Sequence, residues 1–487
     1  MKHYDVVVIG TGPSGQKGAI QAAKMGKSVA IIEKNNVLGG AQINTGTVPS
    51  KTLREAALHL TGASKRGLFG EAYRVKKNIS IADLVAVSQQ VIRHEWDVIR
   101  DQFDRNNIDL IWGEGVFEGP NLLQVRKGDS SELITADKFL IGVGTRPARP
   151  TNVPFNGKTV FTSDELLKLE RLPKTMIVVG GGVIGTEYAC IMATLGVRVT
   201  LVEGRSQVLG FLDQEISDAF HYFMRQQGVT LRLGEKVEQI TELEDPNSLP
   251  TNGNGSVSKP MVQAQLESGK TLKAETLLYA VGRQGVCGKL QLENVDITYT
   301  DRERLRVNEH YQCLNMEDPD NVRVIDHVYA AGDVIGFPAL ASTSMEQGRR
   351  AIAHAFDQPM ESWNQELFPY GIYAVPEISM VGKTEEQLTE EGIPYEAGIG
   401  SYDEIARGQI LGDRTGMLKM LIHQETKQLL GVHIIGTDAT ELIHIGQTVM
   451  ALGGSADFFV NNVFNFPTLA EAYKVAAYNG LNKLAHV

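Results

Sequence analysis

The sequence predicts an α/β fold, because one strand–turn–helix–strand pattern occurs twice along the chain. The first copy, "DVVVIGTGPSGQKGAIQAAKMGKSVAIIE", runs from Asp5 to Glu33, and the second, "TMIVVGGGVIGTEYACIMATLGVRVTLVEG", runs from Thr175 to Gly204. From about residue 347 onward, strand-like and helical patterns alternate without a third glycine-rich turn. We therefore expect two α/β domains of one design and a C-terminal α+β domain.

The composition sets limits on the class of protein. The chain has 487 residues, 42% hydrophobic and 22% charged, which suits about three globular domains. Its net charge of −11 argues against a nucleic-acid partner. Three scattered cysteines predict neither a disulfide framework nor a metal site, and they favour a cytoplasmic location. The N-terminal apolar run of about five residues is too short for a signal peptide or a membrane span.

The first pattern has the spacing of a dinucleotide-binding turn in a Rossmann-like domain. Gly10 permits the tight turn, Gly12 leaves room for a pyrophosphate, and Gly15 allows the helix to approach the strand. Glu33 ends the second strand, where a carboxylate can accept a hydrogen bond from a ribose 2′-OH. The alternative, an ordinary βαβ unit, explains the glycines but not the acid about 20 residues later.

The second pattern repeats this design. Gly180, Gly182 and Gly185 have the same spacing, and Glu203 takes the position of the acid. Two such folds imply two dinucleotides, one held permanently and one exchanged.

Other stretches suggest how the chain passes between domains. "IGVGTRPARP" ends a strand at Gly144 and Thr145, and "AVGRQG", which contains Gly282, repeats that design after the second fold. Asp333 ends a further strand before a helix that begins near Ala341; it suits a polyol or pyrophosphate contact, the alternative being a plain helix cap. Residues 80–103 predict a long amphipathic helix, and residues 244–260 a loop.

Together these motifs resemble the flavin-dependent pyridine nucleotide–disulfide oxidoreductases. The resemblance covers nearly the whole chain, including "AAGD" at Ala330 and "PEISMVG" at Pro376. It implies tightly but non-covalently bound FAD, exchanging NAD(H) and NADP(H), and a homodimer that could assemble further. It also implies an FAD-binding domain of residues 1–150 and 279–346, an NAD(P)-binding domain of residues 151–278, and a dimerisation domain of residues 347–487.

The resemblance assigns binding residues by position. For FAD they are Gly10, Gly12, Gly15, Glu33, Lys34, Gly40, Thr47, Lys51, Gly144, Thr145, Gly332, Asp333 and Ala341. For NAD(P) they are Gly180, Gly182, Gly185, Glu203, Arg205 and Gly282.

The redox segment "LGGAQINTGTVPSKTL" departs from the family's disulfide reductases. The two redox thiols would stand at Gln42 and Thr47, and neither residue can carry electrons. The family's histidine base would precede Pro467, where this chain has Phe466, although Glu471, which would orient that histidine, remains. Dihydrolipoamide or glutathione chemistry is therefore excluded. The chain is most similar to the transhydrogenases of the group, in which threonine commonly replaces the second cysteine.

Lys51 and Glu187 are the predicted catalytic residues. The resemblance implies that Lys51 lies near flavin N5, where a cation stabilises reduced flavin, and that Glu187 pairs with it beside the nicotinamide. Taken singly, Lys51 could be a solvated residue near a helix start and Glu187 an ordinary first-turn acid. Their joint occurrence at the family's spacing favours the catalytic interpretation.

These residues imply hydride transfer from NADPH to flavin N5 and then to NAD⁺ by a ping-pong mechanism without a redox disulfide. Glu203 favours NAD(H), whereas Arg205 could pair with a 2′-phosphate or remain a solvated surface residue. Dedicated NADPH enzymes of the family would have basic residues at Gly204 and Gly210. Two alternatives stay open: an NAD(P)H:quinone or diaphorase-type reductase, and a flavin-bearing protein without turnover, against which Lys51 and Glu187 argue.

Overall fold

The computed structural model describes residues 1–63, 75–243, 261–361 and 363–485. These residues form two compact units. The first unit comprises Met1–Ser50, Val85–Ala148 and Gly282–Ser362, and the second comprises Lys51–Leu84, Arg149–Val281 and Trp363–Val487. The loop predicted for residues 244–260 lies outside the described residues.

A twisted sheet with a parallel centre forms the core of the first unit. Its main path runs β17–β18–β6–β1–β2–β3, with β4 and β5 added as an antiparallel hairpin on β6. These strands are β1 (Lys2–Ile9), β2 (Val29–Glu33), β3 (Asp109–Trp112), β4 (Glu114–Gly119), β5 (Leu122–Lys127), β6 (Ser130–Ile141), β17 (Gln312–Asn315) and β18 (Arg323–Ala330). Pairing of Ile9 with both Ile32 and Ile141 brings the carboxyl ends of three parallel strands to one edge.

Helices cover one face of this sheet, and the β4–β5 hairpin with the segment around Leu292 covers the other, so β1 is buried on both sides. Val6, Val7 and Val8 are all fully buried. The described helices of this unit are α1 (Pro13–Lys24), α2 (Gly40–Asn44), α8 (Ala341–Ala355) and, from Val85 onward, α4 (Ile81–Asp104). Helix α3 (Thr47–Thr61) begins in the first unit and continues in the second. Helices α1 and α8 pack so closely that a Cβ on Gly348 would lie 2.1 Å from the Ser14 carbonyl oxygen, and glycine is therefore required at this contact. The predicted amphipathic helix of residues 80–103 is present as α4.

The second unit contains a smaller, wholly parallel sheet in the order β11–β10–β9–β15–β8. Its strands are β8 (Val160–Phe161), β9 (Thr175–Val179), β10 (Arg198–Glu203), β11 (Thr230–Leu233) and β15 (Thr276–Tyr279). Helices α5 (Ser163–Leu166), α6 (Val183–Thr194) and α7 (Gln214–Gln226) accompany it. An antiparallel sheet of β12 (Val237–Leu243), β13 (Met261–Leu266) and β14 (Thr271–Ala274) belongs to the same unit.

The C-terminal part of the second unit is an antiparallel sheet with helices. The strand order is β19–β20–β23–β22–β21, from β19 (Tyr370–Ile372), β20 (Ile378–Gly382), β21 (Tyr395–Ser401), β22 (Met417–His423) and β23 (Leu429–Ile435). The helices are α9 (Glu385–Glu390), α10 (Ala406–Leu411), α11 (Ala439–Ala451), α12 (Asp457–Asn461) and α13 (Glu471–Leu484). Two parallel-sheet domains and a C-terminal α+β part confirm the predicted fold class.

The two stretches predicted as crossovers pair with each other in the first unit. Strand β7 (Thr145–Pro147) lies antiparallel to β16 (Arg283–Gly285). The Ala148 amide also donates to the Gly282 carbonyl at 3.2 Å. The chain therefore leaves and re-enters the first unit through adjacent strands.

Candidate active site

The first glycine turn follows β1 at the edge where the parallel strands end. Gly10 has φ +102°, and a Cβ there would lie 2.6 Å from the Gly142 carbonyl oxygen. A Cβ on Gly15 would lie 1.9 Å from the Gly10 carbonyl oxygen, so the close helix–strand approach requires glycine. At Gly12 the nearest atom to an added Cβ is the Gly142 oxygen at 3.7 Å, which leaves the helix start open to a ligand. This geometry fits a dinucleotide pyrophosphate.

Glu33 ends β2 beside this turn and is buried. Its Oε2 accepts from the Thr11 hydroxyl at 2.5 Å and the Thr11 amide at 3.2 Å, and its Oε1 accepts from the Asn35 amide at 2.8 Å. A carboxylate has about four acceptor positions, so these bonds fix its orientation and leave capacity for a ribose hydroxyl.

Thr145, Asp333 and Arg283 form a third cluster in the first unit. The Thr145 hydroxyl donates to Asp333 Oδ2 at 3.2 Å and accepts from Arg283 Nε at 2.7 Å. Arg283 Nε also lies 3.9 Å from Asp333 Oδ2. Arg283 was not predicted as a site residue, although it lies in "AVGRQG", a stretch that the sequence analysis interpreted as a crossover between domains.

The remaining residues predicted for FAD lie on loops and helix ends of the first unit, except Lys51, which is assigned to the second. Lys34 and Thr47 are exposed, and Thr47 begins α3. Gly40, Gly144 and Gly332 all have positive φ, and Ala341 is the first residue of α8.

The second glycine turn reproduces the geometry of the first. Gly180 has φ +106° and approaches the Ala280 carbonyl, and a Cβ on Gly185 would lie 1.9 Å from the Gly180 oxygen. Among the described residues, no atom lies within 4 Å of a Cβ placed on Gly182, so this helix start is open as well. Gly282, also predicted for NAD(P), has φ +82° but belongs to the first unit.

Glu203 and Arg205 form an ion pair beside this turn. Arg205 donates to Glu203 Oε1 from its amide at 2.9 Å and from Nε at 3.0 Å, and to Oε2 from Nη2 at 3.2 Å. The Gly181 amide donates to Oε2 at 2.6 Å. Burial alone would raise the pKa of Glu203, but these hydrogen bonds outweigh it and lower the pKa. The Arg205 side chain stays 57% exposed, next to Gly210.

The two predicted catalytic residues meet in the second unit. Lys51 Nζ on α3 lies 2.8 Å from both carboxylate oxygens of Glu187 on α6. The Tyr373 amide donates to Glu187 Oε1 at 2.8 Å, and the Tyr373 ring centroid lies 4.6 Å from Lys51 Nζ. The Glu187 side chain is 5% exposed and that of Lys51 25%. The ammonium is thus held in a defined position while part of it remains accessible. Tyr373 was not predicted.

The redox segment contains helix α2, with Gln42 inside it, followed by the start of α3 at Thr47. All three cysteines lie elsewhere, are buried and are free thiols. Burial raises the pKa of the Cys190 and Cys287 thiols to about 12 and that of Cys313 further, so none is a reactive thiolate near neutral pH.

The segment around Pro467 shows what stands in place of a histidine base. Phe466 is 74% exposed, and Glu471 Oε2 accepts from the Thr468 amide at 3.3 Å. Glu471 therefore caps a turn here. Within the described ranges, no group of three or more His, Cys, Asp or Glu side chains is arranged to hold a metal. No helix of those ranges is both long and apolar enough to cross a membrane.

Comparisons with known proteins agree with this architecture. The family model described as pyridine nucleotide-disulphide oxidoreductase matches residues 4–348, and the dimerisation domain of that family matches residues 368–477. A soluble pyridine nucleotide transhydrogenase from Mycobacterium tuberculosis is 49% identical, with 99% of this chain and 98% of the relative covered. One from Photobacterium profundum is 42% identical, with the same coverage.

Solved structures give the same fold. The HOCl-induced flavoprotein disulfide reductase RclA from Escherichia coli has a TM-score of 0.84 at 27% identity, covering 98% of this chain and 99% of that one. LpdA from Mycobacterium tuberculosis has a TM-score of 0.85 at 23% identity and the same coverage, and it supports the fold alone. The resemblance found in the sequence is confirmed: the chain belongs to the pyridine nucleotide-disulphide oxidoreductase family, and its relatives include soluble pyridine nucleotide transhydrogenases.

Proposed function

We propose that this protein is an FAD-dependent transhydrogenase that moves a hydride between NADPH and NAD⁺. The observation that carries the proposal is the Lys51–Glu187 pair, with Tyr373 donating to Glu187. A protein that only bound flavin would need no oriented, partly buried cation. The names of relatives that match over nearly their full length support the same activity.

FAD fits the first unit, because the open glycine turn, Glu33 and the Thr145–Asp333 pair together offer donors and acceptors for a dinucleotide. When bound, FAD accepts a hydride from one nicotinamide and returns it to another. Lys51 supplies positive charge to offset the negative charge of the reduced cofactor, and Glu187 fixes the direction of the Lys51 ammonium.

The described residues contain no disulfide that could serve as a second place for the electrons. Gln42 and Thr47 cannot be oxidised to a disulfide, and the three thiols are buried and protonated. Reduced FAD would then hold the electrons, and because both nucleotides would use the second glycine turn, one must leave before the other enters, which gives ping-pong kinetics. Homodimer formation by the dimerisation domain is part of the proposal, and it would explain why Leu452, Val463 and Phe466 are exposed in a single chain.

Both nucleotides must use the second glycine turn. The Arg205–Glu203 pair supports this dual use, since the arginine neutralises the carboxylate that would otherwise repel a 2′-phosphate. Rotation of the exposed guanidinium toward the phosphate would complete NADPH binding, and the carboxylate so released could accept from the 2′-OH of NADH.

Anaerobic mixing of the yellow holoenzyme with NADPH tests the activity. The flavin should bleach and then recover when thio-NAD⁺ is added. Recovery only with menadione would support the quinone reductase instead, and absence of bleaching would support the binding protein.

Replacement of the cation tests the mechanism. Lys51→Ala should retain FAD but slow flavin reduction about 10²-fold, because the oriented cation is lost. Lys127→Ala is the matched control, because Lys127 is an exposed lysine at the end of strand β5. Reduction of Lys51→Ala at the normal rate would show that the assignment of Lys51 is wrong.

A further inference from the structure

We propose that Arg54 and Glu377 are positioning residues that hold the segment of residues 373–377 against Glu187 and thereby orient the Lys51 ammonium. The inference rests on the proposed function, and all of these residues belong to the second unit.

Arg54 is the link between the helix of Lys51 and this segment. It lies one helical turn after Lys51 on α3, so the two cations project from the same side of the helix. The Arg54 side chain is only 7% exposed. Its Nε donates to the Ala374 carbonyl at 2.8 Å, its Nη2 lies 3.1 Å from Glu377 Oε1, and its Nη1 donates to Glu55 at 2.5 Å. One guanidinium thus binds both a backbone carbonyl and a buried carboxylate.

Glu377 is fixed in turn by the start of α11. Its Oε2 accepts from the Thr440 hydroxyl at 2.9 Å and from the Thr440 amide at 3.3 Å. The Glu377 carbonyl accepts from the Gly436 amide at 2.9 Å. The carboxylate cannot follow a displaced arginine without breaking these bonds, so it sets the position of Arg54.

The catalytic pair depends on the same segment. The Tyr373 amide, which donates to Glu187, stands one residue before the carbonyl that Arg54 binds. A shift of this segment would move both the donor to Glu187 and the ring beside Lys51. Among the described residues, neither Arg54 nor Glu377 hydrogen-bonds to Glu187 or Lys51, so the effect of the pair would pass through Tyr373.

Stability alone does not explain a buried arginine at this place. A buried ion pair roughly offsets its own desolvation cost, and apolar residues of similar size often stabilise a protein as well or better. The guanidinium instead fixes the relative positions of its two acceptors, because its planar group of donors binds them at fixed angles. Lysine cannot reproduce that geometry.

The first test compares Arg54→Lys and Glu377→Gln with wild type in anaerobic stopped-flow reduction of the holoenzyme by saturating NADPH. We expect reduction to slow about tenfold with the FAD content unchanged. Arg171→Lys is the matched control, because Arg171 pairs with Glu275 at 2.8 Å in the same unit, and it should be reduced at the wild-type rate.

A double-mutant comparison shows whether the effect passes through Lys51. In a Lys51→Ala background, Arg54→Lys should cause less than about a twofold further change. The same tenfold factor in both backgrounds, loss of FAD, or a wild-type rate for both single variants would overturn the proposal.

A second readout does not depend on turnover. The readout is acetylation of Lys51 by limiting acetic anhydride in nucleotide-free holoenzyme, measured by mass spectrometry. Glu377→Gln should increase the acetylation rate by about threefold, because Glu187 is then held less firmly and pairs less strongly with the Lys51 ammonium. An unchanged labelling rate would count against the proposal. If NADPH reduces the flavin of the wild-type enzyme but NAD⁺ does not re-oxidise it, the transhydrogenase function is refuted. That result leaves the roles of Arg54 and Glu377 unaffected.

Discussion

Replacing Arg205 by methionine should weaken NADPH binding selectively. The substitution keeps an unbranched side chain of similar length but removes the guanidinium that bonds both oxygens of Glu203. In the variant, a 2′-phosphate loses its cationic partner and meets a carboxylate that is no longer neutralised. NADH has a hydroxyl at this position and should be affected far less.

The magnitude follows from the exposure of the side chain. A hydrogen bond between charged groups contributes about 1.5–3 kcal/mol. From this we subtract up to about 1 kcal/mol, because Arg205 is 57% exposed and must give up a solvent-screened pair with Glu203. Subtracting the full amount leaves about 0.5–2 kcal/mol, which corresponds to about 2- to 30-fold weaker NADPH binding. The dissociation constant for NADH should change by less than about twofold.

The assay is the dependence of the flavin reduction rate on nucleotide concentration, measured anaerobically with NADPH and with NADH at fixed ionic strength. Arg198→Met is the matched control, because Arg198 is exposed at the start of β10, whereas Arg205 follows the end of that strand. Equal weakening of both nucleotides in Arg205→Met would refute the reasoning. An identical effect in the control would do so as well, since it would reflect net charge alone.

Two further predictions concern the electron count and the second unit. Reductive titration with dithionite should consume two electrons per FAD, because the three cysteines are free thiols, which are already fully reduced; uptake of four electrons would reveal an additional redox pair. Native enzyme at pH 8 should react slowly with a thiol reagent, because burial raises the pKa of Cys190 and Cys287 to about 12. Lys419→Met should lower the thermal midpoint by about 10 °C, because it leaves Asp213, Glu215 and Glu385 without the buried ammonium that lies 2.7–3.0 Å from each. Lys427→Met, which removes an exposed ammonium 3.7 Å from Asp457, should leave the midpoint within about 1 °C, and equal shifts in the two variants would contradict the burial argument.

Local signals were sufficient to predict the two α/β domains. Each glycine turn needs backbone conformations and close approaches that only glycine allows, so Gly10, Gly15, Gly180 and Gly185 mark strand–helix junctions without tertiary information. Local signals did not predict the strand order of the C-terminal sheet, because its strands pair in an order that differs from their order in the chain. Such pairing depends on packing between distant segments, which periodicity does not reveal.

The predicted site residues belong to recognisable sequence motifs. The residues that were not predicted lie outside those motifs and hold the predicted residues in position. Tyr373 contributes a backbone amide to Glu187 and a ring beside Lys51, and no local pattern in the sequence connects it with either residue. Arg54 in the sequence is one polar residue on an amphipathic helix, and only the folded chain shows that it is buried against Glu377. Glu203 and Arg205 were predicted as separate contributors to selectivity. Their mutual ion pair depends on side-chain rotamers, which the sequence does not specify.

The adjacent strands β7 and β16 have a consequence for how such a protein can be rearranged. Because Ala148 and Gly282 are joined by a hydrogen bond of 3.2 Å, a linker of a few residues could connect them directly. Such a linker would keep the antiparallel pairing of β7 with β16, so the backbone path through the first unit does not require residues 149–281.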